Sequence, residues 1–294
     1  MLGPTASGKS EVALRLAEKI GAPILSVDSM QVYREMNIGT AKATAAELAR
    51  VEHHMVDLVD PAEDFTVAEF QRSARAVMEQ ADRIVVVGGS GLHFRAVVDP
   101  MTFAPSDPAL RIDLEALEDS AAVAMLLQAD PGAGSHVDLG NPRRVIRALE
   151  IHRLTGETPT ERAHTPEADA LRSYQSRFEF RAVGLDPGPL LAGRVTRRLA
   201  SMLDAGLLEE VSRLAPRLGR TAAQAVGYKE LLPVVRGDEP IEVGVAAATR
   251  ATLRLAKHQR TYFRRDPRIV WVPWNPDRQA RYACVRSSFE EVLA

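Results

Sequence analysis

The chain has 294 residues, of which 46% are hydrophobic and 26% are charged, and its formal net charge is −2. This composition is typical of a soluble globular protein with one large domain or two smaller ones. The near-neutral net charge gives no overall reason to expect a polyanionic partner, so a nucleic-acid site would be a local patch. The single cysteine, Cys284, cannot form an internal disulfide, and no apolar run approaches membrane-spanning length. We therefore expect a protein of the reducing cytoplasm.

A phosphate-binding loop opens the chain. The pattern G-x-x-x-x-G-K-[ST] is matched at every fixed position by Gly3-Pro4-Thr5-Ala6-Ser7-Gly8-Lys9-Ser10. Such a loop turns its backbone N–H groups toward phosphates, its lysine adds a cation, and its last hydroxyl, that of Ser10, can hold Mg²⁺. The motif predicts a phosphorylated ligand and does not require a nucleotide. Only Met1 and Leu2 precede Gly3, so the first strand is expected to be short.

Alternating strand and helix patterns follow the loop. The predicted elements are a helix from the loop to Gly21, a strand at 24–27, a helix at 66–80 and a strand at 84–87. This order predicts an α/β fold, with a phosphate-loop NTPase-like parallel sheet and helices on both faces. Ligands of such sheets lie at the carboxyl ends of the strands, where Asp28 and the turn Gly88-Gly89-Ser90-Gly91 fall.

The middle of the chain predicts a helical insertion domain. From about Pro105 the segments are helical, including Pro142 to Leu154 with Asn141 as N-cap and Gly156 as stop. A strand-like run returns near 178–183, and the chain from Pro187 onward is interpreted as helical. The predicted domains are a first core part at 1–104, the insertion at 105–176, and a second core part with a basic helix at 177–294.

Asp28 is the first candidate catalytic residue outside the loop. A carboxylate at a strand end beside bound phosphates can hold Mg²⁺ through water, or it can accept a proton from a substrate. The structural alternative is an N-cap for the segment that follows.

Two sets of arginines are candidates for phosphate contact. Arg194 and Arg198 lie one helical turn apart, and paired guanidinium groups suit a diphosphate. Arg143 and Arg147 share one face of the insertion helix, with Arg144 beside them. A solvated helix face remains the alternative for both sets.

The helix predicted from about Val245 to Arg264 has two distinct sides. The basic stripe contains Arg250, Arg254, Lys257 and Arg264, and the apolar side contains Ala248, Ala251, Leu255, Tyr262 and Phe263. This pattern favours docking on the core with charges free for phosphates, and solvated surface is the alternative. His53 and His54 lack further ligands at metal spacing, so a structural role is favoured. The glycine turn at 88–91 either lets a backbone approach a substrate or ends a strand.

Taken together, these residues resemble the tRNA dimethylallyltransferases, also called tRNA isopentenyltransferases. The resemblance covers nearly the whole chain. Besides the loop, the matching segments are 26–33, 39–42, 53–57, 65–70, 88–92, 144–150, 224–230 and 249–261.

The resemblance implies transfer of a dimethylallyl group from dimethylallyl diphosphate to N6 of the adenosine 3′-adjacent to the anticodon in certain tRNAs. It implies that the loop holds the donor diphosphate, that Asp28 is the general base, that Ser10 faces Mg²⁺ and that Arg194 binds the diphosphate. The segments implied to contact tRNA are Asp28, Ser29, Met30 and Gln31; Ser90; Arg111; Pro142, Arg143, Arg144, Val145 and Ile146; and Gln224, Ala225, Val226, Gly227, Tyr228 and Lys229. The implied partners are the tRNA anticodon stem-loop and dimethylallyl diphosphate, with a monomer acting in the cytoplasm and no membrane.

The sequence departs from the family pattern at three places. Ser90 and His93 replace a threonine and a tyrosine, the stretch at 138–141 differs before Arg144, and Tyr262 replaces a tryptophan. Ser90 keeps the hydroxyl, whereas any role of a tyrosine at His93 is open. Two other functions remain as alternatives: a phosphate-loop small-molecule kinase, and a non-catalytic RNA-binding module.

Overall fold

The computed structural model describes residues 1–289, so positions 290–294 of the predicted second core part lie outside the described residues. The chain forms two compact units. One contains Met1–Val97 and the chain from Glu179 onward, and the other is Val98–Phe178. The predicted insertion, 105–176, lies within the second unit. Among the described helices, none combines the length and the apolar character needed to cross a membrane.

Short parallel strands form the centre of the first unit. They are β1 (Ile24–Ser26), β2 (His53–His54), β3 (Val85–Val87), β4 (Ala182–Leu185) and β5 (Ile269–Val272). One sheet has the order β2-β1-β3, and β4 pairs with β5 in another. In the first sheet Ile24 lies opposite both His53 and Val85, and in the second Ala182 lies opposite Ile269.

Leu2 connects the two sheets. It bridges in parallel to Gly88, directly after β3, and to Gly184 in β4. Its N–H donates to the Val183 carbonyl and its own carbonyl accepts from the Leu185 N–H, both at 2.9 Å. The strands therefore follow one another as β2, β1, β3, Leu2, β4 and β5, and the phosphate loop begins directly after the central position. At this central position the structure has the isolated bridges of Leu2 rather than a longer strand.

The helices of the first unit lie around these strands, and the helices within Val98–Phe178 form the second unit. In chain order they are α1 (Lys9–Ile20), α2 (Ala45–Leu48), α3 (Val67–Gln80), α4 (Gly91–Val98), α5 (Pro108–Glu115), α6 (Asp119–Ala129), α7 (Pro142–Thr155), α8 (Pro159–Ala163), α9 (Pro166–Arg172), α10 (Leu191–Asp204), α11 (Leu207–Leu214), α12 (Tyr228–Arg236), α13 (Ile241–Arg264) and α14 (Arg278–Ser287). Helix α1 packs on β1 and β3 through Val12, Leu14 and Leu16, which are buried with Ile24 and Val85. The second unit has its own core, in which Leu126 of α6 meets Val145 and Leu149 of α7.

Capping residues set the ends of the predicted helices. The Thr66 side chain accepts from the Glu69 N–H at the start of α3, and the Asn141 side chain caps α7 in the same way. Gly21 and Gly156 end α1 and α7 in the left-handed conformation, at φ 62° and 78°, which glycine adopts without steric cost. The helices predicted after the loop, at 66–80 and at 142–154 are thereby confirmed to within a residue or two.

The prediction that the chain is helical from Pro187 onward is wrong at β5. The run Ile269-Val270-Trp271-Val272 is β-branched and aromatic, but it is short and follows a long helix. Its partner is β4, which lies far away in sequence. The strand-like run expected near 178–183 is the same β4, displaced to Ala182–Leu185.

A buried carboxylate ties α11 to the loop that precedes α2. Glu210 accepts hydrogen bonds from the backbone N–H groups of Asn37, Ile38 and Gly39 at 2.9–3.0 Å. The Tyr228 hydroxyl donates to the same carboxylate at 2.5 Å. These contacts fix the 37–39 loop and the start of α12 against each other.

Glu210→Ala is expected to destabilise the protein by about 3 kcal/mol, because it leaves the buried Tyr228 hydroxyl and three partly buried backbone N–H groups without their partner. Urea unfolding would measure this loss. The matched control is Glu209→Ala, which removes an exposed carboxylate from the same helix and is expected to change stability by less than about 0.5 kcal/mol. An equal loss in both variants would contradict the assignment.

Candidate active site

The phosphate loop connects Leu2, which lies between the two sheets, to the start of α1 at Lys9. Gly8 precedes the helix in the left-handed conformation, at φ 86°. Gly3, at φ 146°, is required for a second reason, since a Cβ there would collide with the Leu185 carbonyl oxygen. The Lys9 ammonium donates to the Pro4 carbonyl at 3.3 Å, across the loop. The loop therefore places unpaired helix N–H groups and a cation around one space, as anion binding requires.

One cleft of about 340 Å³ joins this loop to several other segments of the first unit. The predicted site residues that line it are Thr5, Ala6, Gly8, Lys9, Ser10, Asp28, Met30, Gln31, Arg194, Ala225, Val226 and Gly227. Within the same unit, the predicted residues Ser29, Ser90, Gln224, Tyr228 and Lys229 are not among the lining side chains of this cleft. Tyr228 is buried, and its hydroxyl donates to the Glu210 carboxylate instead of facing the cleft.

Asp28 stands at the end of β1 and faces the loop across the cleft. Its Oδ1 accepts the Met30 N–H at 2.9 Å, which makes a tight turn. The N-cap interpretation is wrong, because turns rather than a helix follow Asp28. Gln31 is held by the Ser26 hydroxyl, which donates to its Oε1 at 2.7 Å, and it donates to the Thr40 carbonyl at 3.1 Å. The Asp28–Gln31 segment is thus fixed from both sides.

Arg194 and Arg198 project from α10 into the cleft. The Arg194 Nε donates to the Ala6 carbonyl of the loop at 2.6 Å. Burial lowers the pKa of Arg198, and the nearby carboxylate of Asp28 partly offsets that effect. Both guanidinium groups line the cleft, so the solvated-face alternative is wrong for this pair.

Burial also perturbs the pKa of Lys9, another cation that lines the cleft. Desolvation of the ammonium, reinforced by the positive charge of Arg198, lowers the pKa of Lys9 to about 8. The loop therefore loses part of its positive charge at mildly alkaline pH, and binding of an anion restores that charge by raising the pKa of Lys9 again.

Binding of inorganic pyrophosphate at pH 9 is expected to take up about one proton, because Lys9 is mostly neutral beforehand and charged afterward. Because the pKa of Lys9 is lowered to about 8, its side chain is mostly charged at pH 7 before the anion binds, and proton uptake at pH 7 is expected to be far smaller. Calorimetry in buffers of different ionisation enthalpy measures the proton count. Lys9→Met is expected to abolish the uptake, and proton uptake that persists in that variant would contradict the assignment.

The glycine turn 88–91 packs against α13. A Cβ on Gly89 would collide with Gln259, and one on Gly91 would collide with Tyr262. Gln259 also accepts the Thr5 N–H at 2.8 Å, so the helix touches the turn and the phosphate loop together. The glycines therefore allow close approach of a helix.

Ser90 and His93 form a hydrogen-bonded pair at the start of α4. The Ser90 hydroxyl lies 2.7 Å from the His93 Nδ1. Burial lowers the pKa of His93 to about 4, so the ring is neutral at physiological pH and its Nδ1 can accept the hydroxyl proton. His93 thus fixes the hydroxyl that Ser90 retains from the family pattern.

The basic stripe of α13 is exposed as predicted, at Arg250, Arg254, Lys257 and Arg264. Arg264 forms an ion pair at 3.3 Å with Asp186, a residue that lies outside α13 in sequence. On the opposite side Ala248, Ala251 and Phe263 are buried, whereas Leu255 and Tyr262 are more than one-third exposed. Leu255 lines the cleft, and Tyr262 lies over the Gly91 turn.

The second unit contains a basic groove of about 1100 Å³. Its lining includes Asn141, Arg143, Arg144, Arg147, Arg162 and Arg172. Arg111 is tied to buried Glu150 at 2.5 Å, and Arg147 joins the same carboxylate at 2.6 Å. Burial alone would raise the pKa of Glu150, but hydrogen bonds from Arg147 and Arg111 lower it to about 2. Arg111 therefore supports the fold of this unit, while Arg143 and Arg144 lie at the groove.

His53 and His54 lie in β2 beside β1, as their structural interpretation predicts. Within residues 1–289 no group of three or more His, Cys, Asp or Glu side chains lies at metal-binding distance. The structure also adds residues that the sequence pattern did not single out, among them Trp274 and Arg281 behind the loop.

A loop for phosphate, two arginines and a strand-end carboxylate in one cleft define a class: α/β proteins that act on a phosphorylated ligand. The family model described as IPP transferase matches residues 31–266. The chain belongs to the IPP transferase family.

Relatives in several bacteria support this membership. A tRNA dimethylallyltransferase of Moorella thermoacetica is 42% identical, over 95% of this chain and 90% of that one. One of Bifidobacterium longum is 39% identical, over 92% of this chain and 85% of that one.

Solved structures show the same fold. A tRNA isopentenylpyrophosphate transferase of Bacillus halodurans is 33% identical, with a TM-score of 0.71 over 99% of this chain and 95% of that one. A eukaryotic dimethylallyltransferase acting on tRNA has a TM-score of 0.79 over 99% of this chain and 78% of that one. At 23% identity, the second likeness concerns the fold alone.

Proposed function

We propose that this chain transfers a dimethylallyl group from dimethylallyl diphosphate to N6 of the adenosine 3′-adjacent to the anticodon in certain tRNAs. Its family and the named activity of its relatives support the proposal. The observation that carries it is the single cleft that unites the phosphate loop, Asp28 and Arg194. That cleft offers an anion site and a base on either side of one reacting centre.

The donor diphosphate fits the loop side of the cleft. Loop N–H groups, Lys9, Arg194 and Arg198 supply positive charge where the leaving group gains negative charge. The hydrocarbon tail fits the apolar part of the lining, which includes Met30, Val195, Leu199, Met202, Leu207 and Val226. A loop that binds a prenyl diphosphate in this way needs no nucleotide.

The acceptor chemistry fits the Asp28 side. The exocyclic amine of adenine is a poor nucleophile, because its lone pair is delocalised into the ring. As the new bond from N6 to the prenyl carbon forms, the bond from that carbon to oxygen breaks and the diphosphate leaves with the electron pair. Asp28 accepts the N6 proton, and Met30 holds one of its oxygens in place.

Mg²⁺ fits this cleft together with a diphosphate. The Ser10 hydroxyl and the Asp28 carboxylate both line it, and these are the hard oxygen donors that Mg²⁺ prefers. The remaining ligands would be phosphate oxygens and water, since Mg²⁺ is usually bound by few protein groups. When bound, the ion would neutralise charge on the diphosphate.

The tRNA contacts divide between the two units, each taken by itself. In the second unit Arg143 and Arg144 lie at the basic groove, and in the first unit Arg250 and Arg254 stand on the exposed side of α13. Phosphate contacts of this kind would offset the few kcal/mol, roughly, needed to extrude a stacked base. We infer that the protein is a monomer and that it binds tRNA in the cytoplasm.

Incubation with anticodon stem-loop RNA and dimethylallyl diphosphate tests the proposal. We expect one five-carbon unit on a single adenosine, seen by mass spectrometry of the digested RNA. Phosphorylation of a small molecule with ATP would instead identify a kinase. RNA binding without product would identify a binding module.

A further inference from the structure

A cluster behind the phosphate loop has no role in the chemistry described above. It consists of Trp274, which follows β5, and Arg281 of α14. The Trp274 indole N–H donates to the Ser7 carbonyl of the loop at 2.7 Å. This bond joins the loop to the C-terminal part of the first unit.

The same indole ring also meets Arg194. The Arg194 guanidinium carbon lies over the ring at 4.8 Å from its centroid, and that of Arg281 lies 5.2 Å from the same centroid. Cations within about 6 Å of a tryptophan ring are attracted by its π electrons. Arg194 therefore has two fixed partners, the ring of Trp274 and the carbonyl of Ala6.

Arg281 supports the loop at a second point. A Cβ on Gly8 would lie 3.2 Å from the Arg281 guanidinium, so the two are in close contact. Arg281 is 2% exposed, and it is held by the Asn275 carbonyl at 2.9 Å and the Glu11 carboxylate at 3.2 Å. Its buried Nε has no hydrogen-bond partner among the described residues. A buried guanidinium that is only partly satisfied adds positive charge directly behind the helix start.

We propose that Trp274 and Arg281 are positioning residues, which hold the loop and Arg194 in the geometry that binds the donor diphosphate. Neither lines the cleft, so both act through other groups: Trp274 through Ser7 and Arg194, and Arg281 through Gly8 and Glu11. The proposal rests on the proposed function only in naming the anion as a diphosphate. It predicts that changes at either residue weaken the donor and leave RNA binding unchanged.

The experiment measures inorganic pyrophosphate binding by calorimetry. Trp274→Phe keeps an aromatic ring under Arg194 and removes the indole N–H, so affinity is expected to fall about tenfold, whereas Trp274→Leu also removes the ring and is expected to fall further. Trp271→Phe is the matched control, because Trp271 stands on β5 and meets Arg264 instead of the loop. Its affinity is expected to stay within about twofold of the parent.

Arg281→Met is expected to weaken pyrophosphate about tenfold as well. Its matched control is Arg278→Met, since Arg278 also pairs with Glu11 but is exposed and does not touch Gly8. A purely structural role would lower the affinities for pyrophosphate and stem-loop RNA together with thermal stability. Unchanged pyrophosphate affinity in Trp274→Phe and Arg281→Met would overturn the proposal.

Fluorescence provides a readout that does not depend on those variants folding. The chain has two tryptophans, so Trp274 is the sole reporter in Trp271→Phe. Binding of pyrophosphate is expected to change the emission of Trp274, because the anion attracts the Arg194 guanidinium that lies over the indole ring. Binding without an emission change would contradict the proposal, whereas failure of the parent protein to bind pyrophosphate at all would contradict the proposed function.

Discussion

Asp28→Asn is expected to keep the fold and tRNA binding while turnover falls by roughly 10² to 10⁴-fold. The amide oxygen of asparagine can still accept the Met30 N–H, so the turn after β1 is preserved. What the variant lacks is a group that takes the N6 proton as the new bond forms. Single-turnover assays with saturating donor and stem-loop RNA measure the chemical step directly.

The control for this variant is Asp204→Asn, which removes an exposed carboxylate at the end of α10, in the same unit. It is expected to turn over at the parent rate. Near-parent turnover in Asp28→Asn would exclude Asp28 as the base. Another group would then have to accept the N6 proton.

Lys9→Met is expected to lower kcat/KM for dimethylallyl diphosphate by roughly 10² to 10³-fold, with little change in tRNA affinity. Lys9 is the loop cation, and desolvation by burial lowers its pKa to about 8, so a bound anion stabilises the charged form of its side chain. The diphosphate gains negative charge as it leaves, so the cation stabilises the transition state more than the ground state.

Lys19→Met is the matched control, because Lys19 is exposed in the last turn of the same helix. Steady-state kinetics against each substrate separate the two affinities. A larger loss for RNA than for the donor in Lys9→Met would contradict the assignment of the loop.

Local sequence signals were sufficient for the parts of the site that are continuous in the chain. The loop pattern, the capping residue Asn141 and the strand ending at Asp28 each encode their own conformation, and each was predicted. The pairing of Arg194 with Arg198 also follows from helical spacing, although only the structure excludes a solvated face.

The remainder depends on contacts between distant segments. β5 was missed because a short apolar run becomes a strand only beside β4, and Trp274 was missed because nothing around it in sequence indicates the loop. Periodicity placed Leu255 and Tyr262 on the apolar side of α13 and did not indicate how far either side chain is buried. The cleft and the glycine turn, which lie against α13, leave both side chains partly exposed.

A crystal structure with a non-hydrolysable analogue of dimethylallyl diphosphate would show how the donor lies in the cleft. We expect its diphosphate against the loop N–H groups and Lys9, with the five-carbon tail directed at Asp28. A tail pointing away from Asp28, or an analogue bound elsewhere while the loop holds a nucleotide, would contradict this expectation.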